Sequence, residues 1–520
     1  MKKHLRLTLA LGLMNLGLVA GCSSADSASL DPATSGPTGS RTVTQGGAQD
    51  IGYFRSLVAD GDVPTPDTLE PVGFFAEHAI DLPDADCGDQ VCVHSMLAVA
   101  PGIDQVSNWT MAFVALNTPV DAQSLERPET HVVLAIEDTA RASITAERSN
   151  HMIRAFANEL VAGDRLSIVR IGDEAEILAS GVTPTDPALA AAAAGFTGAS
   201  SRAALYDGLA RSAQAIEDIE DFTGAHRVVL VTSGAADAGI TDSMRVVGLG
   251  DALAREGVGV SVVGVGESYR PEIAAQISEG GGGSYYFAES ADDLVDIFTL
   301  EARTSLFPLA TDFELRVEAA AGYTIGRVYG ARRARSEQAA ATLESPVLMV
   351  GNRTGATDVE EGRRGGGGGL FVELLADAAL GEEIGANAPA FVATASWTDP
   401  TTGERVTQSA TVDNGLAPGE NPTGMFPHFS DPARGKAFMM LNMYLSLRTT
   451  AELYHEGSCG QARGVLPAMQ LTYEGWQAEY ADPDIDADWA LLSALEDNLQ
   501  QSCAGTEPVA PVFSFGCFYD

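Results

Sequence analysis

The chain has 520 residues, 45% of them hydrophobic, and carries 71 acidic against 31 basic side chains, a formal net charge of −40. Such a length accommodates about two to four domains of ordinary size, each with its own core, and argues against a single compact unit. The charge excludes nucleic acid as a ligand, because a phosphate backbone demands a basic surface and this field repels it.

The first residues read as an export signal. Lys2, Lys3 and Arg6 precede the apolar run Leu7 to Leu18, which is too short to span a bilayer. Val19-Ala20-Gly21-Cys22 follows and resembles the bacterial lipobox. The resemblance implies removal of residues 1–21, a lipid on the Cys22 thiol and attachment to a membrane without spanning it. Ser23, where sorted lipoproteins retained at the inner membrane have aspartate, points to the outer membrane. Residues 22–48 are rich in Ser, Gly, Thr, Pro and Ala and form a flexible tether. The only lysines are Lys2, Lys3 and Lys436, so processing leaves one.

Residues 49–127 open on a short helix in "DIGYFRSLVADG", pass a Pro-punctuated turn and continue into two strands, "CVHSMLAVAPG" and "WTMAFVALNT". Residues 128–302 alternate strand and helix. The strands "HVVLAI", "RLSIVRIG", "RVVLVTSG" and "GVSVVGVG" are continuous apolar runs, as covering on both faces requires. In "NHMIRAFANELVAG" the residues Met152, Ile153, Phe156, Leu160 and Val161 give a helix one apolar face. This rhythm predicts an α/β fold with a doubly wound, mainly parallel, Rossmann-like sheet.

From residue 303 the period changes to two. Phe313, Leu315 and Val317 alternate with Glu314, Arg316 and Glu318, the pattern of a half-solvated antiparallel strand. Residues 303–415 predict a flanking β-sandwich, which the strands of residues 90–117 complete from the other side of the α/β insertion. Residues 430–503 predict a C-terminal helical domain with a Met-rich first helix, and 504–520 a loose tail. In an exported chain the cysteines should mostly pair. Cys87 and Cys92 can close a short loop; Cys459 and Cys503 bracket two helices, with Cys517 left over or exchanged for Cys503. "DPDIDAD" imitates a calcium loop, but Trp489 stands where glycine is needed, so it reads as a solvated helix start.

The succession of elements, with "YFRSLVADGDVPTPD", "AGDRLSIVRIG", "AALYDGL" and "GGSYYFAESADDL", resembles the von Willebrand factor A (vWA) lipoproteins of the YfbK type over nearly all of the mature chain. This chain is shorter than that pattern between Pro66 and Phe75. The resemblance implies an envelope protein with a protein-binding vWA module and no catalytic activity. It also implies a place for Mg²⁺, held by a DxSxS loop after the first strand, a threonine from a second loop and an aspartate from a TDG-like third.

Here those positions carry Glu137, Thr139 and Arg141, then Ala203 for the threonine and Ser233 for the aspartate. A hard dication requires about six oxygens, and a guanidinium has no lone pair to give. At about 4 Å and an effective dielectric near 20, its repulsion of a dication is several kcal/mol. The sequence therefore predicts a degenerate site without Mg²⁺ and no other cofactor. Two readings of Arg141 stand: it neutralises Glu137 or Asp138 from within, or it points into water. Glu137, Asp138, Thr139, Arg141, Ser201, Arg202 and Ser233 are the predicted contacts to a protein partner. A metal-dependent adhesion domain and an envelope hydrolase are the alternatives. The chain has no P-loop, no GxSxG elbow and eight scattered histidines without HExxH, so no catalytic residue is assigned.

Overall fold

The computed structural model describes residues 41–45, 50–103, 108–120, 129–266, 269–289, 291–304, 308–331, 334–351, 369–376, 387–415 and 432–513. The signal segment, Cys22, residues 23–40 and 46–48 of the tether, and Cys517 lie outside the described residues.

The chain enters with β1 (Arg41–Gln45), α1 (Gly52–Ala59), α2 (Pro71–Ala76), β2 (Cys92–Pro101) and β3 (Asn108–Thr118). The α/β part then runs β4 (Thr130–Glu137), α3 (Ala146–Glu159), β5 (Arg165–Ile171), β6 (Ala175–Val182), α4 (Ala188–Ala193), α5 (Leu205–Glu217), β7 (Ala225–Thr232), α6 (Ser243–Arg255), β8 (Gly259–Val265), α7 (Pro271–Gly280), β9 (Gly282–Ala288) and α8 (Ala291–Thr304). Its sheet has the order β6-β5-β4-β7-β8-β9. Every pairing is parallel except β5 with β6, which form an antiparallel hairpin.

Alternation along β4 explains its unbroken apolar text. Val132, Leu134 and Ile136 enter a core with Met152 and Phe156 of α3 and Phe298 of α8. Val133 and Ala135 point the other way, into a core with Leu205 and Leu209 of α5 and Ile277 of α7. Each fully buried aliphatic contributes about 1.5–3 kcal/mol, and both faces of the strand collect it. Helix α3 begins at Thr145, whose side chain accepts from Arg148 N at 3.2 Å, and ends when Leu160 turns extended at ψ 151°. Val161 therefore leaves the apolar face that its spacing predicts and is 54% exposed. Its amide is held by Asp164 Oδ2 at 2.7 Å, while Asp164 Oδ1 accepts Thr130 N at 2.9 Å, and this turn ends the helix.

The second part contributes β10 (Pro308–Ala319), β11 (Tyr323–Tyr329), β12 (Arg335–Ser336), β13 (Ala340–Val350), β14 (Gly369–Ala376), β15 (Pro389–Thr398) and β16 (Arg405–Asp413). The path β11-β14-β3-β1-β13-β10-β15-β16 is antiparallel throughout, with β1 joining β3 on one side to β13 on the other. Val99 of β2 and Val114 of β3 share one core with Leu315 of β10, Leu343 of β13 and Trp397 of β15, so the two halves of this sheet face each other. The opposite face of β2 and β3, through Met96, Met111 and Phe113, enters a different core.

That core is built mainly by α9 (Pro432–His455), α10 (Cys459–Ala462), α11 (Val465–Tyr480) and α12 (Pro483–Ser502). Phe54 of α1 and Phe74 and Phe75 of α2 pack into it with Met440, Leu441, Tyr444 and Leu495. The helices grouped by sequence with the sandwich strands therefore belong to the helical layer, because their phenylalanines find apolar partners there. Disulfides join Cys87 to Cys92 and, across 44 residues, Cys459 to Cys503.

The "DPDIDAD" segment departs from its expected solvation. Asp482 caps α12, accepting from Asp484 N at 2.9 Å. Asp484 and Asp488, each 2% exposed, are buried. Lys436 Nζ lies 2.8 Å from Asp482 and 2.6 Å from Asp484, and His78 Nε2 lies 2.7 Å from Asp488. Arg55 pairs with Glu77 within the N-terminal segment, and the His78–Asp488 contact, with the Ala79 amide donating to Asp484 Oδ2 at 3.0 Å, ties that segment to the C-terminal helices. Among the described residues no helix is long and apolar enough to cross a membrane.

Candidate functional site

In an open α/β sheet the loops after the carboxyl ends of the strands form the ligand-binding edge. Here that edge is made by the segment after β4, the turn after β7, and the loops before α5 and α7. Glu137 is the last residue of β4, and its carboxylate is fully buried. Thr232 Oγ1 and Ser233 N each donate to it at 2.7 Å, Ser233 Oγ lies 2.9 Å and 3.0 Å from its two oxygens, and Thr139 Oγ1 donates as well. A carboxylate accepts about four hydrogen bonds, so this one is filled from inside the protein.

Asp138, 2% exposed, is equally occupied. Its Oδ1 accepts Thr197 N at 2.8 Å and Gly198 N at 2.6 Å. Main-chain bonds between Asp138 and Ser200 (3.2 Å) and between Ala140 and Ser200 (3.3 Å) lace the two loops together, with a parallel bridge at Thr139. After Ser233 the chain turns at Gly234, φ +75°, where a Cβ would come within 2.2 Å of the Arg270 carbonyl oxygen. Arg270 N in turn donates to Ser233 O at 3.0 Å, which ties the loop before α7 to the site.

Arg141 does not pair with Glu137 or Asp138, and it does not simply point into water. Its Nη1 donates to Asp237 Oδ2 at 2.7 Å, with the two side chains 32% and 36% exposed. Asp237 Oδ1 accepts Ala203 N at 2.7 Å. Burial pushes the Asp237 carboxyl up, but the Arg141 hydrogen bond, the Ala203 amide and the guanidinium charge outweigh it and hold it below its ordinary value. Arg141 is raised, first by that hydrogen bond and, against its own burial, by the charges of Asp237 and Glu137. Its Nε and Nη2 are buried and have no hydrogen-bond partner.

The seven residues predicted to contact a partner therefore separate. Glu137, Asp138, Thr139 and Ser233 are at most 2% exposed and form the interior of the site, where internal hydrogen bonds occupy them. Arg141, Ser201 and Arg202 reach the surface, Arg202 pairing with Asp173 at 3.1 Å. Thr232, Asp237, Thr197 and Gly198 complete the constellation and were not identified from sequence. Thr232 is the first residue of "TSG", whereas nothing in the spacing marks Asp237.

The donor set does not fit a hard dication. Ala203 presents a methyl group where an oxygen is needed, the Thr139 hydroxyl is spent on Glu137, and Asp237 Oδ2 is taken by Arg141. Among the described residues no group of three or more His, Cys, Asp or Glu side chains is placed to hold a metal ion.

No family model matches the chain. It is similar to the uncharacterized protein YfbK of Escherichia coli (strain K12), 25% identical over 202 residues, which are 38% of this chain and 35% of that protein. The matched part thus spans about a third of the relative's length. Among solved structures, a von Willebrand factor type A protein from Catenulispora acidiphila aligns at 12% identity and a TM-score of 0.49, covering 81% of this chain and 97% of the other. The ArnB paralog VWA2 from Sulfolobus acidocaldarius aligns at 12% identity and a TM-score of 0.40, covering 79% and 99%.

Proposed function

We propose that this chain, a von Willebrand factor A domain protein of the YfbK type, is a non-catalytic envelope lipoprotein. In this reading its carboxyl-end face binds a carboxylate of a protein partner without a metal ion. Cys22 carries the lipid, the tether spaces the folded part from the outer membrane, and the folded-over sheet acts as a β-sandwich beside a separate helical domain.

The observation that carries the reading is the Arg141 guanidinium. In a metal-dependent site the dication meets the partner's carboxylate. Here a fixed positive group, held by Asp237, stands at the same edge with a third of its side chain exposed. A guanidinium is always charged, so it attracts a carboxylate at this edge as a dication would. Glu137 and Asp138 act beneath it as a scaffold that fixes the loops.

Crosslinking followed by pull-down from native membranes tests this. The expected result is a partner captured equally in the presence and absence of EDTA and lost with Arg141→Glu. Capture that requires Mg²⁺, or that survives Arg141→Glu undiminished, overturns it. Labelling with a radioactive fatty acid, expected in the parent and absent in Cys22→Ser, tests the anchor.

A further inference from the structure

We propose that the recess between α1, α7 and the end of α9 binds an organic cation, an ammonium or guanidinium group carried by a small molecule or displayed on a peptide. The recess has a volume of about 380 Å³ and lies where the N-terminal helix, the α/β part and the helical layer meet. Junctions of this kind are favoured places for ligand sites. The proposal is independent of the Arg141 reading.

Tyr53, Tyr269, Tyr454 and His455 supply rings to its lining. Tyr53 of α1 meets Tyr269 edge-on at 5.2 Å between ring centroids and Phe287 at 4.9 Å. Tyr454 and His455 close the other side, their centroids 5.1 Å apart. His455 Nε2 lies 3.1 Å from both the Val63 and Pro64 carbonyl oxygens. Carbonyls only accept, so this nitrogen carries the proton and the ring is anchored with that edge turned to the backbone.

Charge supplies the selectivity. Asp62 and Glu272 line the recess, and among the described residues lining it none is lysine or arginine. Both carboxylates lie close enough to Tyr53 to raise its hydroxyl pKa, after burial, which is the larger cause. Aromatic faces and carboxylates together attract a cation, while a chain of net charge −40 repels an anion before it arrives. A water-filled gap between modules would show no preference between a cation and a neutral group of the same shape, and this difference is measurable.

Choline, its uncharged tert-butyl isostere and an arginine peptide amide are titrated calorimetrically into the full chain. The expected result is saturable binding of choline, the peptide or both, with the isostere weaker by about tenfold or more. Glu272→Gln, on an exposed side chain, weakens the cation about fivefold or more, Tyr53→Leu abolishes binding, and Tyr53→Phe retains it. Binding of the peptide alone identifies a displayed side chain as the source, and binding of choline alone a free small molecule. No saturable binding by either cation, equal affinity for the isostere, or affinity unchanged in both Glu272→Gln and Tyr53→Leu overturns the proposal.

Discussion

Glu137→Ala is the substitution that best separates a scaffold carboxylate from a metal ligand. In the folded chain this carboxylate receives the Thr139, Thr232 and Ser233 hydroxyls and the Ser233 amide. Hydrogen bonds to a charged group contribute about 1.5–3 kcal/mol each. Three of the donors are rotors that can turn elsewhere, but the Ser233 amide is fixed by the turn that follows β7 and loses its acceptor outright. The substitution also leaves a cavity at a fully buried position. The combined loss is about 3–5 kcal/mol, which for a unit the size of the α/β part lowers its melting transition by roughly 10 °C. Differential scanning calorimetry of parent and variant, each with EDTA and with millimolar Mg²⁺, reads this out. The loss should be the same in both conditions. A variant that melts within about 1 kcal/mol of the parent in EDTA would refute the reasoning, since it would show the bonds to Glu137 to be dispensable.

Three further outcomes follow from the interior. His131 is buried at the start of β4, its Nε2 2.8 Å from Ser167 Oγ and its Nδ1 3.4 Å from His226 Nδ1. Burial, then the charges of His226 and Arg165, push it down to about 4 from 6.5, and burial lowers His226 as well. The unfolded chain therefore binds more protons than the folded one as pH falls below 6.5, and stability declines down to about pH 4, by up to about 3 kcal/mol for His131. His131→Gln flattens that part of the pH–stability profile measured by urea denaturation. Lys436→Met removes the cation from Asp482 and Asp484 and leaves the latter's charge buried without its ion pair, a loss of about 3–5 kcal/mol in the helical layer that thermal melting followed by circular dichroism detects. Replacing Cys459 and Cys503 together by alanine frees a loop of 44 residues and costs about 4 kcal/mol by loop-closure entropy, read as a lowered denaturation midpoint of the oxidised chain.

Much of the fold is legible in the residues because burial on two faces writes itself plainly. "HVVLAI" is continuous because both helical layers of the α/β part contact β4, and "DFELRVE" alternates because one face of β10 is wet. "WTMAFVALNT" shows the same effect between the sheet core and the helical layer, since every residue of β3 is buried. Partner choice is less visible. The eight residues of α1 declare an apolar face but not which core receives it, and the helix is found against α12 and β9 rather than against the strands that follow it in sequence. Likewise Asp484 and Asp488 read as solvated acids until the fold brings Lys436 and His78 to them.

The candidate site divides in the same way. Glu137, Thr139 and Ser233 are recognisable as the positions where a metal would sit, because strand ends and signature turns are local features. Whether a carboxylate faces outward to a ligand or inward to hydroxyls is not a local feature. The Thr232 and Ser233 donors come from the end of β7 and its turn, 95 and 96 residues away. Arg141 stands out as a charge that a dication cannot tolerate, but its choice of Asp237 over Glu137 depends on how the loop after Gly234 folds back against Ala203.

In the proposed reading the carboxyl-end face of this sheet is complete without a divalent ion. Isothermal titration of Mg²⁺ into the parent chain and into Glu137→Ala decides this. Neither protein should give saturable heat, and micromolar binding to the parent that disappears in Glu137→Ala would show that the face holds a metal after all.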